Sequence, residues 1–170
     1  MSDKTRPIAF LMGSDSDLPT LEGALTLLDE LDVGYHVRVL SAHRTPEEAA
    51  TFARDADKNG VKVLVGIAGL AAHLAGALAA HSLLPVLGVP AETGPLRGHD
   101  ALLSTVMMPP GIPVGTLAIG SVGAKNAALL AVRILALSDQ ALAARLRTWR
   151  DADRDKTLGK DRAVRDRFSC

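Results

Sequence analysis

Three short stretches combine residue types that can do chemistry. In Gly13-Ser14-Asp15-Ser16-Asp17, a glycine permits a tight turn, the hydroxyls and backbone N–H groups suit an anion, and Asp17 can accept from ribose hydroxyls. Serine and aspartate are also the commonest helix caps, so the stretch reads equally as a strand-to-helix cap by Ser16 or Asp17. It has neither the GK[ST] of a Walker loop nor the second glycine of GxGxxG. In Ser41-Ala42-His43-Arg44-Thr45, an arginine suited to bidentate grip on phosphate or carboxylate adjoins a histidine that can give and accept a proton near neutral pH. In Gly66-Ile67-Ala68-Gly69-Leu70-Ala71-Ala72-His73, only His73 is polar. Small residues there let backbone amides approach a ligand and leave an apolar wall that excludes water, or serve tight helix-to-sheet packing. His36, His81 and His99 fall outside these stretches and are treated as non-catalytic.

The elements that would position these stretches follow from apolar patterning. The continuous apolar run Ile8–Met12 and the apolar-rich stretches Tyr35–Leu40, Val61–Ile67, Pro85–Pro90 and Val114–Ile119 predict five strands. Helices are predicted between them. One carries Leu18, Leu21, Leu25, Leu28 and Leu31; a second has Thr45 as N-cap, Pro46 at N1 and Glu47 and Glu48 in its first turn. An alanine-rich helix runs to about Ala80, a short one spans Ala101–Val106, and another runs from Gly123 to about Leu137. Alternating strands and helices imply right-handed βαβ units, a three-layer αβα fold with a parallel sheet of about five strands. Ser138-Asp139 restarts a C-terminal helix through Leu142, Leu146 and Trp149. Residues 1–150 therefore read as one domain, and the highly charged stretch 151–170 as a tail, either an amphipathic helix laid on a neighbour or partly disordered. In such folds ligands bind beyond the carboxyl ends of the strands, where all three stretches fall.

Composition narrows the function. Nineteen basic residues balance nineteen acidic ones, so neither nucleic acid nor an anionic membrane is an expected partner and a small ligand is. The only cysteine, Cys170, leaves no intrachain disulfide and no cysteine-rich zinc site, which fits a reducing cytoplasm. The first apolar run is too short for a signal or a membrane span. With no Ser triad, metal cluster or cysteine nucleophile in view, the three stretches suggest proton-assisted chemistry on a phosphorylated small molecule, without naming it.

MGSDSD, SAHRTPEEA, AAHLAG, LPVLGVP, DALLSTVMMPPGIPVGTLAIG and GAKNAALLAVRIL, in this order between about Ile8 and Arg150, closely resemble the PurE family, the N5-carboxyaminoimidazole ribonucleotide mutases of purine biosynthesis. The resemblance implies a flavodoxin-like subunit in a homo-octamer with no metal or organic cofactor. It implies nucleotide binding by Ser14, Asp17 and Arg44 with Ser16 and Ser41 nearby, a general acid/base at His43, and Gly69 and His73 among the substrate-binding residues. The implied reaction moves a carboxylate from the exocyclic nitrogen to C4. Ile67 and Leu70 stand at family glycines, Ala75 at a family proline, and Met107 where the mutases commonly have glutamine. Ile67-Ala68-Gly69 is shared instead with related carboxylases that take carbon dioxide from solution, the nearest alternative activity. A non-catalytic nucleotide-binding relative is a second alternative. A flavin carrier is disfavoured because aromatics are only 3% of the chain. Ile67 and Leu70 are expected to narrow the pocket and keep it dry.

Overall fold

A computed structural model of the chain describes residues 5–168; Cys170 lies outside them. The elements are β1 (Ile8–Met12), a 3-10 turn (Asp15–Asp17), α1 (Leu18–Glu30), β2 (Tyr35–Val39), α2 (Pro46–Asp55), β3 (Val63–Ala68) and α3 (Leu74–His81). They continue with β4 (Val86–Pro90), α4 (His99–Val106), β5 (Gly115–Thr116), α5 (Gly120–Ala136) and α6 (Gln140–Phe168). The five strands pair in parallel in the order β2-β1-β3-β4-β5. The parallel sheet is the one expected from the alternating pattern, and its order is the flavodoxin-like one that the resemblance implies. Right-handed crossovers put α1 on one face and α2 and α3 on the other, because the chain reverses its direction of travel across the sheet after β2.

Register brings the chemistry-bearing turns to one edge. Met12 pairs with both Val39 and Ile67, and Ile67 pairs with Val89, so four strands end at nearly the same level. The ladder continues for one residue beyond each strand: Leu40 N–H donates to Met12 O at 2.9 Å, Gly13 N–H to Ile67 O at 3.1 Å and Ala91 N–H to Ala68 O at 2.8 Å. The start of each loop is therefore fixed by the sheet.

The core explains why the central strands read as continuous apolar runs. All five residues of β1 and of β4 are buried, as are five of the six in β3, whereas edge strand β2 is only partly covered. Leu64 on one face of β3 packs with Ala49 and Ala53 of α2 and with Leu74, Ala75 and Leu78 of α3. Each of the leucines contributes about 1.5–3 kcal/mol when fully buried, and each alanine methyl about 0.8 kcal/mol. The small residues set the spacing: a Cβ on Gly66 would lie 2.9 Å from the Ala75 Cα, so α3 rests directly on the β3 backbone.

Several boundaries differ from the sequence reading. The fifth strand is only Gly115–Thr116, not Val114–Ile119, because after one further bond, from Leu117 N–H to Gly88 O, the chain turns into α5 three residues earlier than expected. Neither Asp17 nor Thr45 caps its helix through its side chain, although each occupies the N-cap position; Ser14 instead caps the inserted 3-10 turn by accepting the Ser16 N–H. The chain divides into two compact units, the first ending at Ala131 and the second beginning at Val132. In the second, Asp139 accepts the Leu142 N–H at 2.9 Å and starts α6, Leu142 and Leu146 are buried, and the helix continues through the charged stretch to Phe168. No helix among the described residues is long and apolar enough to cross a membrane.

Because the Cα, N and Cβ atoms of Ala75 that face Gly66 cannot swing aside, the substitution Gly66→Ala should overpack the α3–β3 contact by about 2 kcal/mol. The expected result is a fall in melting temperature of roughly 4–8 °C, read by differential scanning calorimetry.

Candidate active site

The turn after β2 is held at both ends. Ser41 N–H donates to Thr45 Oγ1 at 2.8 Å, and Thr45 Oγ1 donates back to Ser41 O at 3.2 Å. Thr45 therefore braces the turn instead of capping α2. Inside it, Ser41 Oγ accepts the N–H groups of His43 and Arg44 at 3.3 and 3.2 Å. The backbone carrying the histidine and the arginine is thus fixed before any ligand arrives. The Arg44 guanidinium reaches across to donate to Gly13 O, joining the β2 turn to the β1 turn and leaving further N–H donors of its fork for an anion.

The β1 turn is a small hydroxyl network. Ser14 Oγ accepts Ser16 Oγ–H at 2.8 Å and donates to Asp15 Oδ1 at 3.2 Å. Asp17 is only 4% exposed. Burial pushes its carboxyl above the usual 3.8, opposed by the Ser14 backbone N–H it accepts and by the Arg44 charge nearby.

His43 extends from the β2 turn to meet His73 at the end of the β3 turn. His43 Nε2 and His73 Nδ1 are 2.7 Å apart, with the rings edge to face at 83° and centroids 4.9 Å apart. A contact that short needs one proton between the nitrogens, so one ring donates and the other accepts. Ser14, Ser16, Asp17, Ser41, His43, Arg44, Gly69 and His73, the site residues expected from sequence, all line one cleft of about 520 Å³ at the carboxyl edge of the sheet. His36, His81 and His99 do not line it. His36 lies on β2, where burial, Arg6 and Arg38 lower its affinity for a proton. Among the described residues no group of three or more histidine, aspartate, glutamate or cysteine side chains is arranged to hold a metal.

Two features depart from the sequence reading. Ile67 does not narrow the cleft: it is fully buried, on the opposite face of β3 from Leu64. Strand alternation sends it into the sheet core. Leu70 does line the cleft, is 53% exposed, and has φ +55°, a left-handed conformation costing about 1–2 kcal/mol for a residue with a Cβ. Thr93, a polar side chain not among the expected site residues, also lines the cleft. The signal was available, since Thr93 follows the carboxyl end of β4, the same position that singled out the other three turns.

A doubly wound parallel sheet with a histidine pair, an arginine and a hydroxyl-rich turn around one cleft at its switch point defines a flavodoxin-like α/β protein equipped for acid/base chemistry. The chain belongs to the AIR carboxylase family, whose model matches residues 7–156. It is 55% identical over 155 residues to an N5-carboxyaminoimidazole ribonucleotide mutase of Haemophilus influenzae, covering 91% of this chain and 94% of the relative. It is 51% identical over 160 residues to the mutase of Escherichia coli K12, covering 93% and 95%. The crystal structure of Treponema denticola PurE superposes with a TM-score of 0.82 at 27% identity, covering 92% of this chain and 97% of that one.

Asp17 gives a pH-dependent prediction. Below pH 3.8 the carboxyl is neutral whether the chain is folded or unfolded; as pH rises through the higher folded value, the native state alone bears the cost of a buried charge. D17N should therefore melt like wild type at pH 3.5 and above it at pH 7, the gap opening with pH in thermal melts. A gap that is constant across this range would mean that Asp17 burial carries no ionisation cost.

Proposed function

We propose that this chain is an N5-carboxyaminoimidazole ribonucleotide mutase, an isomerase that moves the substrate's carboxylate from the exocyclic nitrogen to C4 in purine biosynthesis. The observation that carries the mechanism is the His43–His73 contact, which presents a proton carrier beside an otherwise apolar turn. Protonated His43 delivers its proton to the exocyclic nitrogen, the C–N bond breaks, and carbon dioxide leaves with the electron pair returned to nitrogen. The imidazole C4 then attacks the trapped carbon dioxide, forming the C–C bond, and His43 removes the C4 proton to restore aromaticity. The histidine ends as it began, and no net oxidation or reduction occurs. Arg44 and the Ser14–Ser16 turn face the phosphate, Asp17 the ribose, and His73 fixes the His43 ring while lining the substrate pocket. Leu70 and the neighbouring alanines exclude water that would hydrate free carbon dioxide.

The assembly we propose is a homo-octamer working in the cytoplasm. In the first unit Leu83, Leu103 and Met107 are exposed apolar side chains, and in the second Leu137, Val164 and Phe168 are, as subunit contacts would require. A single cysteine is consistent with a reducing compartment. Light scattering at micromolar concentration should give eight times the chain mass of 17.8 kDa, and a monomeric mass would overturn the assembly.

His43→Asn should abolish turnover while leaving nucleotide affinity within about tenfold, because it removes the proton carrier and keeps a polar shape. Arg44→Ala should weaken binding by about 2 kcal/mol through loss of a charge-assisted phosphate contact. The reaction itself is tested by two assays. The N-carboxylated ribonucleotide should be converted at a rate insensitive to bicarbonate. If only the uncarboxylated ribonucleotide with saturating bicarbonate reacts efficiently, the chain is a carboxylase.

A further inference from the structure

Four side-chain hydroxyls line the cleft, and three are already engaged within the protein. Ser14 and Ser16 are bonded to each other, and Ser41 Oγ accepts the amides of His43 and Arg44. The fourth, Thr93, is half-buried and donates its backbone N–H to Ala91 O at 3.0 Å, but its hydroxyl has no hydrogen-bond partner among the described residues. Its position is set by Gly69: a Cβ there would fall 1.8 Å from Thr93 Oγ1 and 3.1 Å from Thr93 Cβ. Only a glycine lets this hydroxyl lie against the backbone of the β3 turn.

Sheet order places Thr93 along the cleft. The strand tips run β2, β1, β3, β4, so Arg44 and the Ser14–Asp17 turn occupy one end, His73 and Gly69 the next position, and Thr93 the far end. A ribonucleotide with its phosphate at the cationic end has its heteroaromatic base and carboxylate toward the other. There the wall is Ala68, Leu70 and Ala71, and a carboxylate against apolar side chains requires a donor. A hydroxyl hydrogen rotates, so one threonine can serve the carboxylate on nitrogen and again on carbon.

We propose that Thr93 is a substrate-positioning residue whose hydroxyl donates a hydrogen bond to the migrating carboxylate and holds it against the Gly69 turn; the assignment rests on the mutase reading above. The test compares Thr93→Val, which keeps the shape and loses the hydroxyl, with Thr93→Ser, which keeps the hydroxyl. T93V should lose about tenfold or more in kcat/KM for the N-carboxylated ribonucleotide, with T93S within about threefold of wild type. By calorimetry, T93V should bind the 4-carboxylated product about tenfold more weakly and the uncarboxylated ribonucleotide within about twofold of wild type. Thr93→Ala carries the same comparison should T93V unfold. Full activity in T93V, an equal loss in T93V and T93S, or an equal loss of affinity for carboxylated and uncarboxylated ligands would overturn the assignment. If the wild-type protein binds the carboxylated ribonucleotide without converting it, the mutase reading fails while the binding comparison still decides the role of Thr93. If wild type binds neither, both fail.

Discussion

His43 and His73 are thirty residues apart in sequence and 2.7 Å apart in space, and most of the site geometry depends on what makes that distance possible. His43 belongs to the turn after β2 and His73 to the turn after β3, and β1 lies between those strands. The contact spans the tip of β1, which requires strands ending level and a β1 turn that stays low. The parallel register meets the first condition by pairing Met12 with both Val39 and Ile67. The compact 3-10 turn at Asp15–Asp17, closed by Ser14, meets the second. Shifting one strand by a single residue would send each of its side chains to the opposite helix layer as well as move a histidine, so core packing and site geometry are enforced together.

Much of this arrangement was legible in the sequence because it rests on local signals. Apolar runs such as Ile8–Met12 are what a sheet buried on both faces requires, and their alternation with helices fixes a parallel sheet. The placement of ligand crevices beyond the carboxyl ends of the strands then selects Ser14, His43 and His73 without knowledge of a substrate. The pairing of His43 with His73 was not legible, since it depends on register across three strands. The bracing role of Thr45 was hidden for another reason: at an N-cap position a threonine reads as a cap, and only the Ser41–Thr45 backbone geometry diverts its hydroxyl. The length of β5 was overestimated because an apolar run cannot distinguish a ladder from a strand that leaves the sheet after two residues.

The opposite placements of Ile67 and Leu70 follow from backbone position alone. Both are bulky aliphatic residues in the same stretch. Ile67 is the penultimate residue of β3, so the period-two alternation commits its side chain to the core, where it is fully buried. Leu70 lies two residues past the strand, where the chain turns back toward α3 through a positive φ, and its side chain remains on the cleft wall. An added Cβ on Gly94 would lie 2.6 Å from Leu70 Cδ2, so the leucine rests on the β4 loop as well. The turn after β3 is thus tied to the β4 loop at two points, Leu70 on Gly94 and Gly69 on Thr93, which makes the apolar end of the cleft a single packed wall.

Leu70 and Asp17 show the same physical compromise at opposite ends of one cleft. The leucine holds a backbone conformation that costs about 1–2 kcal/mol. The aspartate holds a carboxyl whose burial favours the neutral form. Neither is required by the sheet, which would accept a glycine at the first position and an uncharged residue at the second. In the function proposed above each serves a ligand: the apolar wall would keep water from a reactive carboxylate, and a desolvated acceptor held by Ser14 and Arg44 would be oriented before ribose hydroxyls arrive. Preorganisation of this kind lowers the reorganisation cost on binding by accepting a less stable free protein. Because Arg44 both opposes the raised Asp17 proton affinity and donates to Gly13 O, the turns after β1 and β2 are linked electrostatically. An anion that draws the guanidinium away from Asp17 would weaken that opposition, so under the proposed function phosphate and ribose recognition would be coupled through a single arginine.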